Sequence, residues 1–401
     1  MILSPLDESG KPTDWWFMYK APKLNAAAGL TDASTGFEYV YFDSKATAVT
    51  RSPYTLDSDN GALFHTLDSV FGNPQANTGW ILYNDEIPNG ATSLTLGHSK
   101  GVIGFDAASN TAFWLVHSWP KFPLPDDSAQ PSPMYGQTYL CVALDLDQAR
   151  QLATQMHHYQ QPQVYQSRIP TSFATDDPLF LLKHDVIRDN DPAGSNVLEL
   201  KSIGGMPLKV IAKNAAWNDD FWNDLVVDAI KASIDVDTWI RGGPKVIPGT
   251  TDPSGQFTVA DIKYITLENL GLGTRWAWPE AKDHAKWAIS DANQGNWVCV
   301  GDINRMISQR KRGGCTIAFQ HDVLWSMLSK TDKFVVPAGS NLTPAEAKTK
   351  VRVSRIKAEK DADLPKNPRR RKWDLAETPA ADHAAPAPTH RAPAKPKTSH
   401  S

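Results

Sequence analysis

Apolar and aromatic residues fall in short runs along this chain, separated by glycine, proline, asparagine and aspartate. Trp15-Trp16-Phe17-Met18-Tyr19, Phe37-Glu38-Tyr39-Val40-Tyr41-Phe42 and Trp80-Ile81-Leu82-Tyr83 have the aromatic content of strands. Leu96 to Phe105 and Thr111 to His117 follow, joined by an Asp-Ala-Ala-Ser-Asn connection that suits a hairpin. Gln137 to Leu144 reads as a further strand, and a helix is predicted from near Asp147 to about His158. Pro120, Pro123, Pro125, Pro131 and Pro133 make the stretch after Ser118 an irregular loop.

A second set of elements begins near residue 190. Asn196 to Ser202 and Pro207 to Lys213 flank Gly204-Gly205 as a hairpin. Phe221 to Ser233 has helical apolar spacing, Ile262 to Leu267 and Trp297 to Val300 read as strands, and Asp322 to Leu328 as a helix. Strands followed by helices in both halves predict an α/β protein, a duplicated mixed β-sheet sandwich with flanking helices. The expected divisions are residues 1–190, 191–340 and a tail, 341–401, rich in Pro, Ala, Lys and Arg and expected to be disordered. Overall self-similarity between the halves is faint.

Composition narrows the class. Hydrophobic residues make up 41% and charged residues 21%, the balance of a soluble globular chain. No apolar run approaches the roughly 18 residues of a membrane span, so no membrane association is expected. The first residues lack a basic segment followed by an apolar one, so no secretory signal is expected in the chain as given and a cytoplasmic location is the default, with export or a trimmed signal left open. The net charge of -3 is unevenly spread: residues 341–401 hold 14 Lys/Arg against 7 Asp/Glu, and the body holds 27 against 37. An acidic body repels nucleic acid at neutral pH, so the chain needs a locally basic cleft or an acidic working pH. Eight of the 11 histidines lie in the body, and below about pH 6.5 they would offset much of its negative charge. Within the tail, Arg369-Arg370-Arg371-Lys372 is read as a solvated charge run, with attraction to phosphate or targeting as the alternative. Three cysteines are too few for a disulfide-built fold, and no spacing announces a metal site or a cofactor.

The chemistry is announced by a repeated triplet. His98-Ser99-Lys100 and His284-Ala285-Lys286 place histidine and lysine two residues apart, on one face of an extended segment. Two such pairs facing each other would surround one anionic group with two imidazoles and two ammonium groups. A phosphodiester suits that arrangement: one imidazole attacks phosphorus, the other protonates the leaving oxygen, and the lysines hold the non-bridging oxygens.

The neighbours of both triplets give a resemblance. Gly97-His98-Ser99-Lys100-Gly101-Val102, Phe113-Trp114-Leu115-Val116-His117-Ser118 and Tyr135-Gly136-Gln137-Thr138-Tyr139-Leu140-Cys141 resemble segments of the deoxyribonuclease II family, part of the phospholipase D superfamily. So do Asp283-His284-Ala285-Lys286-Trp287, Trp297 to Arg305, Arg312-Gly313-Gly314 and the N-terminal Asp7 to Trp16. Together they cover residues 7 to about 330. The resemblance implies a metal-independent endonuclease, active at acid pH, that cuts DNA to 3′-phosphate and 5′-hydroxyl ends through a phosphohistidine. It also implies a phospholipase D-like pseudo-dimer within one chain, and homodimers that clamp duplex DNA. Asp291 follows Lys286 after four intervening residues, a spacing that fits the superfamily pattern, whereas Asp106 is one residue late from Lys100 and receives no catalytic role. Cys299 and Cys315 match a disulfide pair of secreted relatives, while the expected partner of Cys141 is missing. The sequon Asn341-Leu342-Thr343 sits at the start of the tail.

In the expected mechanism His98 attacks and His284 is the acid, although near-symmetry leaves those roles exchangeable. Lys100 and Lys286 supply fixed positive charge. His117 either hydrogen-bonds a catalytic group or phosphate, or fills a core position. Asn304 is read as orienting phosphate and Asp302 as a structural hydrogen-bonding residue. Trp287 and Trp297 could stack on bases, although most of the 14 tryptophans are expected in the core. Another phosphodiesterase or phospholipase activity, and a non-catalytic nucleic-acid clamp, are the competing readings. Cleavage of DNA beside phosphatidylcholine separates the first, and binding without nicking the second.

Overall fold

The computed structural model describes residues 2–336 apart from 28–30, 89, 91, 124, 126–131, 184–191, 241–246 and 248. The expected tail, its sequon and the expected boundary at residue 190 lie outside the described residues. The described chain is mixed α/β and belongs to one compact unit.

Two sheets carry it. The first contains β1 (Trp15–Lys20), β2 (Glu38–Asp43), β3 (Thr50–Thr55), β4 (Thr78–Asn84), β5 (Lys100–Asp106), β6 (Thr111–His117), β7 (Gln137–Asp145) and β8 (Val164–Arg168), in the order β3-β2-β1-β7-β6-β5-β4-β8. The second contains β9 (Ser195–Lys201), β10 (Pro207–Lys213), β11 (Ile234–Thr238), β12 (Thr250–Thr251), β13 (Thr258–Thr266), β15 (Lys286–Ser290), β16 (Trp297–Gly301) and β17 (Gly314–Gln320). Their order is β12-β13-β11-β15-β16-β17-β10-β9, with β14 (Ala277–Pro279) and β18 (Asp332–Val336) paired to β13. The first sheet is antiparallel throughout; the second has one parallel pair, β11 with β13.

Helices α1 (Ala62–Phe71), α2 (Leu146–Gln155), α3 (Pro178–Leu182), α4 (Val227–Ile230) and α5 (Asp322–Leu328) pack on these sheets. One hydrophobic core is shared between them. Trp15, Phe17, Tyr83 and Trp114 of the first sheet meet Val210, Trp287, Val300 and Phe319 of the second, together with Leu152 of α2 and Leu324 of α5. The opposite faces have their own cores, under α1 on one side and against α4 on the other. The central strands β1 and β5 to β7 are therefore buried on both faces, which is why their sequences are continuous apolar runs without alternation.

Most expected elements are present within a residue or two, and the differences have physical causes. The strand expected from Leu96 begins at Lys100, because residues 97 and 98 bond to other segments: Gly97 N–H to the Gln161 carbonyl and His98 N–H to the Gly313 carbonyl. The helix expected to end at His158 starts at Leu146, capped by the Asp145 side chain on Gln148 N–H at 2.8 Å, and widens into a π-helical turn over Met156–Gln160. The helical run expected through Ser233 stops at Ile230, where Lys231 takes φ 54° and the chain turns into β11. Cys299 and Cys315 do not pair. Both are free, and they face opposite sides of their sheet, Cys299 with Ala318 and Ile211, Cys315 with Val300 and Ile317.

Candidate active site

The two triplets enter adjacent sheets in the same way. His98 lies two residues before β5 and His284 two residues before β15, so each lysine opens a strand. Each histidine is then fixed by the other half of the chain. The His98 ring donates from Nδ1 to the Asp302 carbonyl at 2.6 Å, and its backbone N–H donates to the Gly313 carbonyl at 2.8 Å. The His284 ring donates from Nδ1 to the Ser118 carbonyl at 2.7 Å, and its backbone N–H donates to the Gly136 carbonyl at 2.8 Å. Ser118 and Asp302 are the residues that follow β6 and β16; Gly136 and Gly313 precede β7 and β17. A carbonyl can only accept, so each ring carries a proton on Nδ1 and leaves Nε2 for chemistry, as a lone pair when the ring is neutral and as a proton donor when it is charged.

The four predicted residues converge. Burial pushes the His98 and His284 imidazoles well below their ordinary pKa. The charge of Lys286 bears on His98 in the same direction, and that of Lys100 on His284. Lys286 is itself pushed down to about 7, first by burial and then by the positive charge of Lys100. Its ammonium donates to the His284 carbonyl at 2.5 Å.

Asp85, which the sequence did not single out, organises the His98 side. Its carboxylate takes Lys100 on one oxygen and Arg312 on the other, the latter at 3.2 Å, and lies 3.8 Å from His98 Nε2. Burial would raise its pKa, but Lys100, His98 and Arg312 hold it well below the usual carboxylate range. Arg312 also donates to the Leu96 and Gly97 carbonyls at 2.9 and 3.1 Å, tying the approach to His98 across the halves. The clue available in the sequence was Arg312-Gly313-Gly314, an arginine beside glycines ahead of an apolar run. Nothing marks Asp85 beyond its place after the run Trp80 to Tyr83.

The supporting candidates fall as follows. Asp302 holds His98 through its carbonyl and accepts the Lys100 N–H on its carboxyl at 3.3 Å; burial pushes that carboxyl up to about 7. His117 is buried, accepts the Trp119 N–H on Nδ1 at 3.1 Å and stacks on Phe122 at 4.5 Å, immediately before the Ser118 carbonyl that orients His284. The Nε2 of His117 and the side-chain oxygen of Asn304 are both buried without a hydrogen-bond partner among the described residues. Asp106 and Asp291 lie at the far ends of β5 and β15 from the lysines, where Asp106 accepts from Ser109 and Thr78. Trp287 is fully buried and donates to the Tyr19 hydroxyl at 3.2 Å, a core role rather than a base platform. Trp297 starts β16, whose other end carries the site, and lines a hollow of about 430 Å³ that contains no residue of either triplet.

Around His284 the neighbours are aromatic. Trp239 lies 4.6 Å from its ring, Tyr135 6.3 Å, and the two contact each other at 5.8 Å. Beneath them Asp283 accepts from Tyr19 at 2.5 Å, Trp278 at 2.6 Å and the Ala285 N–H at 2.7 Å.

The family model of deoxyribonuclease II matches residues 4–337. The chain belongs to the deoxyribonuclease II family. It is an enzyme of that type. A putative deoxyribonuclease-2 of Burkholderia pseudomallei is 51% identical over 352 residues, covering 86% of this chain and 97% of that protein. Cell-death-related nuclease 7 of Caenorhabditis elegans is 32% identical over 324 residues, 79% of this chain and 83% of the nematode protein. Mouse deoxyribonuclease-2-alpha is 31% identical over 333 residues, 80% and 90% of the two chains. The deoxyribonuclease II match includes both triplets and all four carbonyls that hold their histidines.

Proposed function

We propose that this deoxyribonuclease II family member hydrolyses DNA phosphodiesters at acid pH, without a metal ion, through a phosphohistidine. The observation that carries the reading is the crossed pair of imidazoles, each held through Nδ1 by a backbone carbonyl of the opposite half. His98 Nε2 attacks phosphorus, and the bond to the 5′-oxygen breaks as His284 gives that oxygen its Nε2 proton. His284, now neutral, takes a proton from water. The resulting oxygen attacks phosphorus, His98 departs, and a 3′-phosphate and a 5′-hydroxyl remain. Lys100 and Lys286 neutralise the non-bridging oxygens, the work that a cation performs in metal-dependent nucleases. Asp302 and His117 position the histidines, and Asn304 supplies an amide toward phosphate. The relatives named deoxyribonuclease-2 favour DNA as the alcohol over the lipid that other phosphodiesterases of this design would take.

The same reading extends to architecture. The chain is two phospholipase D-like halves, residues 1–190 and 191–340. What supports this is the matched order β1-β7-β6-β5-β4 and β10-β17-β16-β15-β11, with a helix before β4 and β11 and another after β7 and β17.

The test is plasmid cleavage at about pH 5 with chelator, comparing the wild type with His98→Ala and His284→Ala. Each variant is expected to lose roughly a hundredfold or more. Nicking by both variants at the wild-type rate, or cleavage only when divalent metal is added, overturns the reading.

A further inference from the structure

The two halves place different chemistry at equivalent positions beside the phosphate site. In β4, Asn84 pairs with Lys100; in β11, Thr238 pairs with Lys286. The next residues along, Asp85 and Trp239, therefore occupy matching places. Gly313 accepts the His98 N–H and Gly136 accepts the His284 N–H, so the residues before them, Arg312 and Tyr135, also match. On the His98 side the pair is a buried ion pair at 3.2 Å. On the His284 side it is a pair of rings 5.8 Å apart and inclined at 72°, with Trp239 against the imidazole. Trp239 and Tyr135 both remain partly exposed, whereas Phe122, Tyr139 and Trp287, three further rings near the motifs, are buried.

We propose that Trp239 and Tyr135 form the binding wall for the nucleoside on the leaving side of the cut, the one that departs with the 5′-oxygen. This rests on the reading that His284 protonates that oxygen. Proton transfer requires the oxygen within about 3 Å of His284 Nε2, so its sugar and base begin beside the rings that flank the imidazole. An aromatic wall offers stacking that is indifferent to base identity, which suits an enzyme that cuts many sequences. The ion pair on the His98 side offers no ring. A centre that is nearly symmetric around phosphorus thus acquires a direction along the strand, and the phosphate stays on the 3′-oxygen.

The experiment uses oligonucleotides with one phosphodiester in a methylphosphonate background, with the base on either side of that bond present or replaced by hydrogen. The value of kcat/KM is measured for wild type, Trp239→Ala, Trp239→Phe and Tyr135→Ala. Removing the leaving-side base is expected to cost the wild type roughly tenfold and Trp239→Ala almost nothing further, the size of a single stacking contact. Trp239→Phe recovers most of the sensitivity, and Tyr135→Ala loses part of it. Removing the base on the other side lowers wild type and variants by the same factor. A uniform loss in Trp239→Ala on every substrate, or coupling of Trp239 to the other base, overturns the proposal while leaving the phosphodiesterase reading intact. A wild type that cuts none of the oligonucleotides, the fully based one included, overturns both.

Discussion

Asp85 carries more of this site than either triplet reveals. It is 1% exposed and neutralises two buried cations. Replacing it by asparagine leaves Lys100 and Arg312 buried without a counter-charge, and about 3–5 kcal/mol of stability should be lost in a urea unfolding titration. A loss within experimental error of zero would show that the cations find other partners. The sign of its pH dependence follows from its lowered pKa. Its contribution is complete above the unfolded carboxylate value of about 4 and is lost only as pH falls through the lower folded value, so the cluster stays intact at mildly acidic pH. The pH dependence of the rate follows instead from the imidazoles. Burial first, then Lys286, holds His284 well below its ordinary pKa. The acid form therefore disappears as pH rises, and the rate should fall from acid toward neutral pH. Lys286→Gln removes the like charge, so the alkaline limb of the kcat/KM profile should move to higher pH even as the rate drops. A limb that stays in place or moves to lower pH contradicts His284 as the proton donor. Neither Asp85 nor the holding carbonyls were legible in the sequence. A backbone carbonyl leaves no side-chain signature, and one aspartate after an apolar run resembles any strand end.

At the scale of elements, the π-helical turn after α2 links the halves. It delivers Gln160 and Gln161, the latter at φ 51°, against the approaches to both β5 and β17. A Cβ on Gly97 would lie 1.9 Å from the Gln160 carbonyl oxygen, and one on Gly313 would lie 2.4 Å from the same atom. These glycines are required by close backbone approach, and the approach sets where His98 sits. Gly313→Ala should therefore keep the far-UV circular dichroism of the wild type yet lose activity by about a hundredfold, the cost of a misplacement on the order of 1 Å. Unaltered activity would mean that the turn yields without disturbing the histidine. Strands such as β1, β6 and β7 were readable because both their faces are buried, which leaves an unbroken apolar run. Edge strand β3 was not: it carries Arg51 and Pro53 and exposes several positions. Helix α1 was also missed, since Gly61 caps it without a side-chain bond and no acidic residue marks its first turn.

For the whole molecule, the repeated His-x-Lys was the decisive sequence signal. It marked one histidine–lysine pair in each half, and the two halves share one hydrophobic core. The difference between the halves around those triplets was not legible, because Asp85 matches Trp239 only through strand register, which depends on the folded sheets. The central claim is that His98 and His284 divide attack and proton transfer at one phosphate. Trapping the covalent intermediate in His284→Ala tests it most directly, using a thymidine 3′-(p-nitrophenyl phosphate) whose leaving group needs no proton. Attack then proceeds but water is not activated. The account predicts about one equivalent of nitrophenolate per enzyme chain and a base-stable nucleotide adduct that peptide mapping places on His98. Continuous turnover without an adduct, or an adduct on another residue, would contradict it.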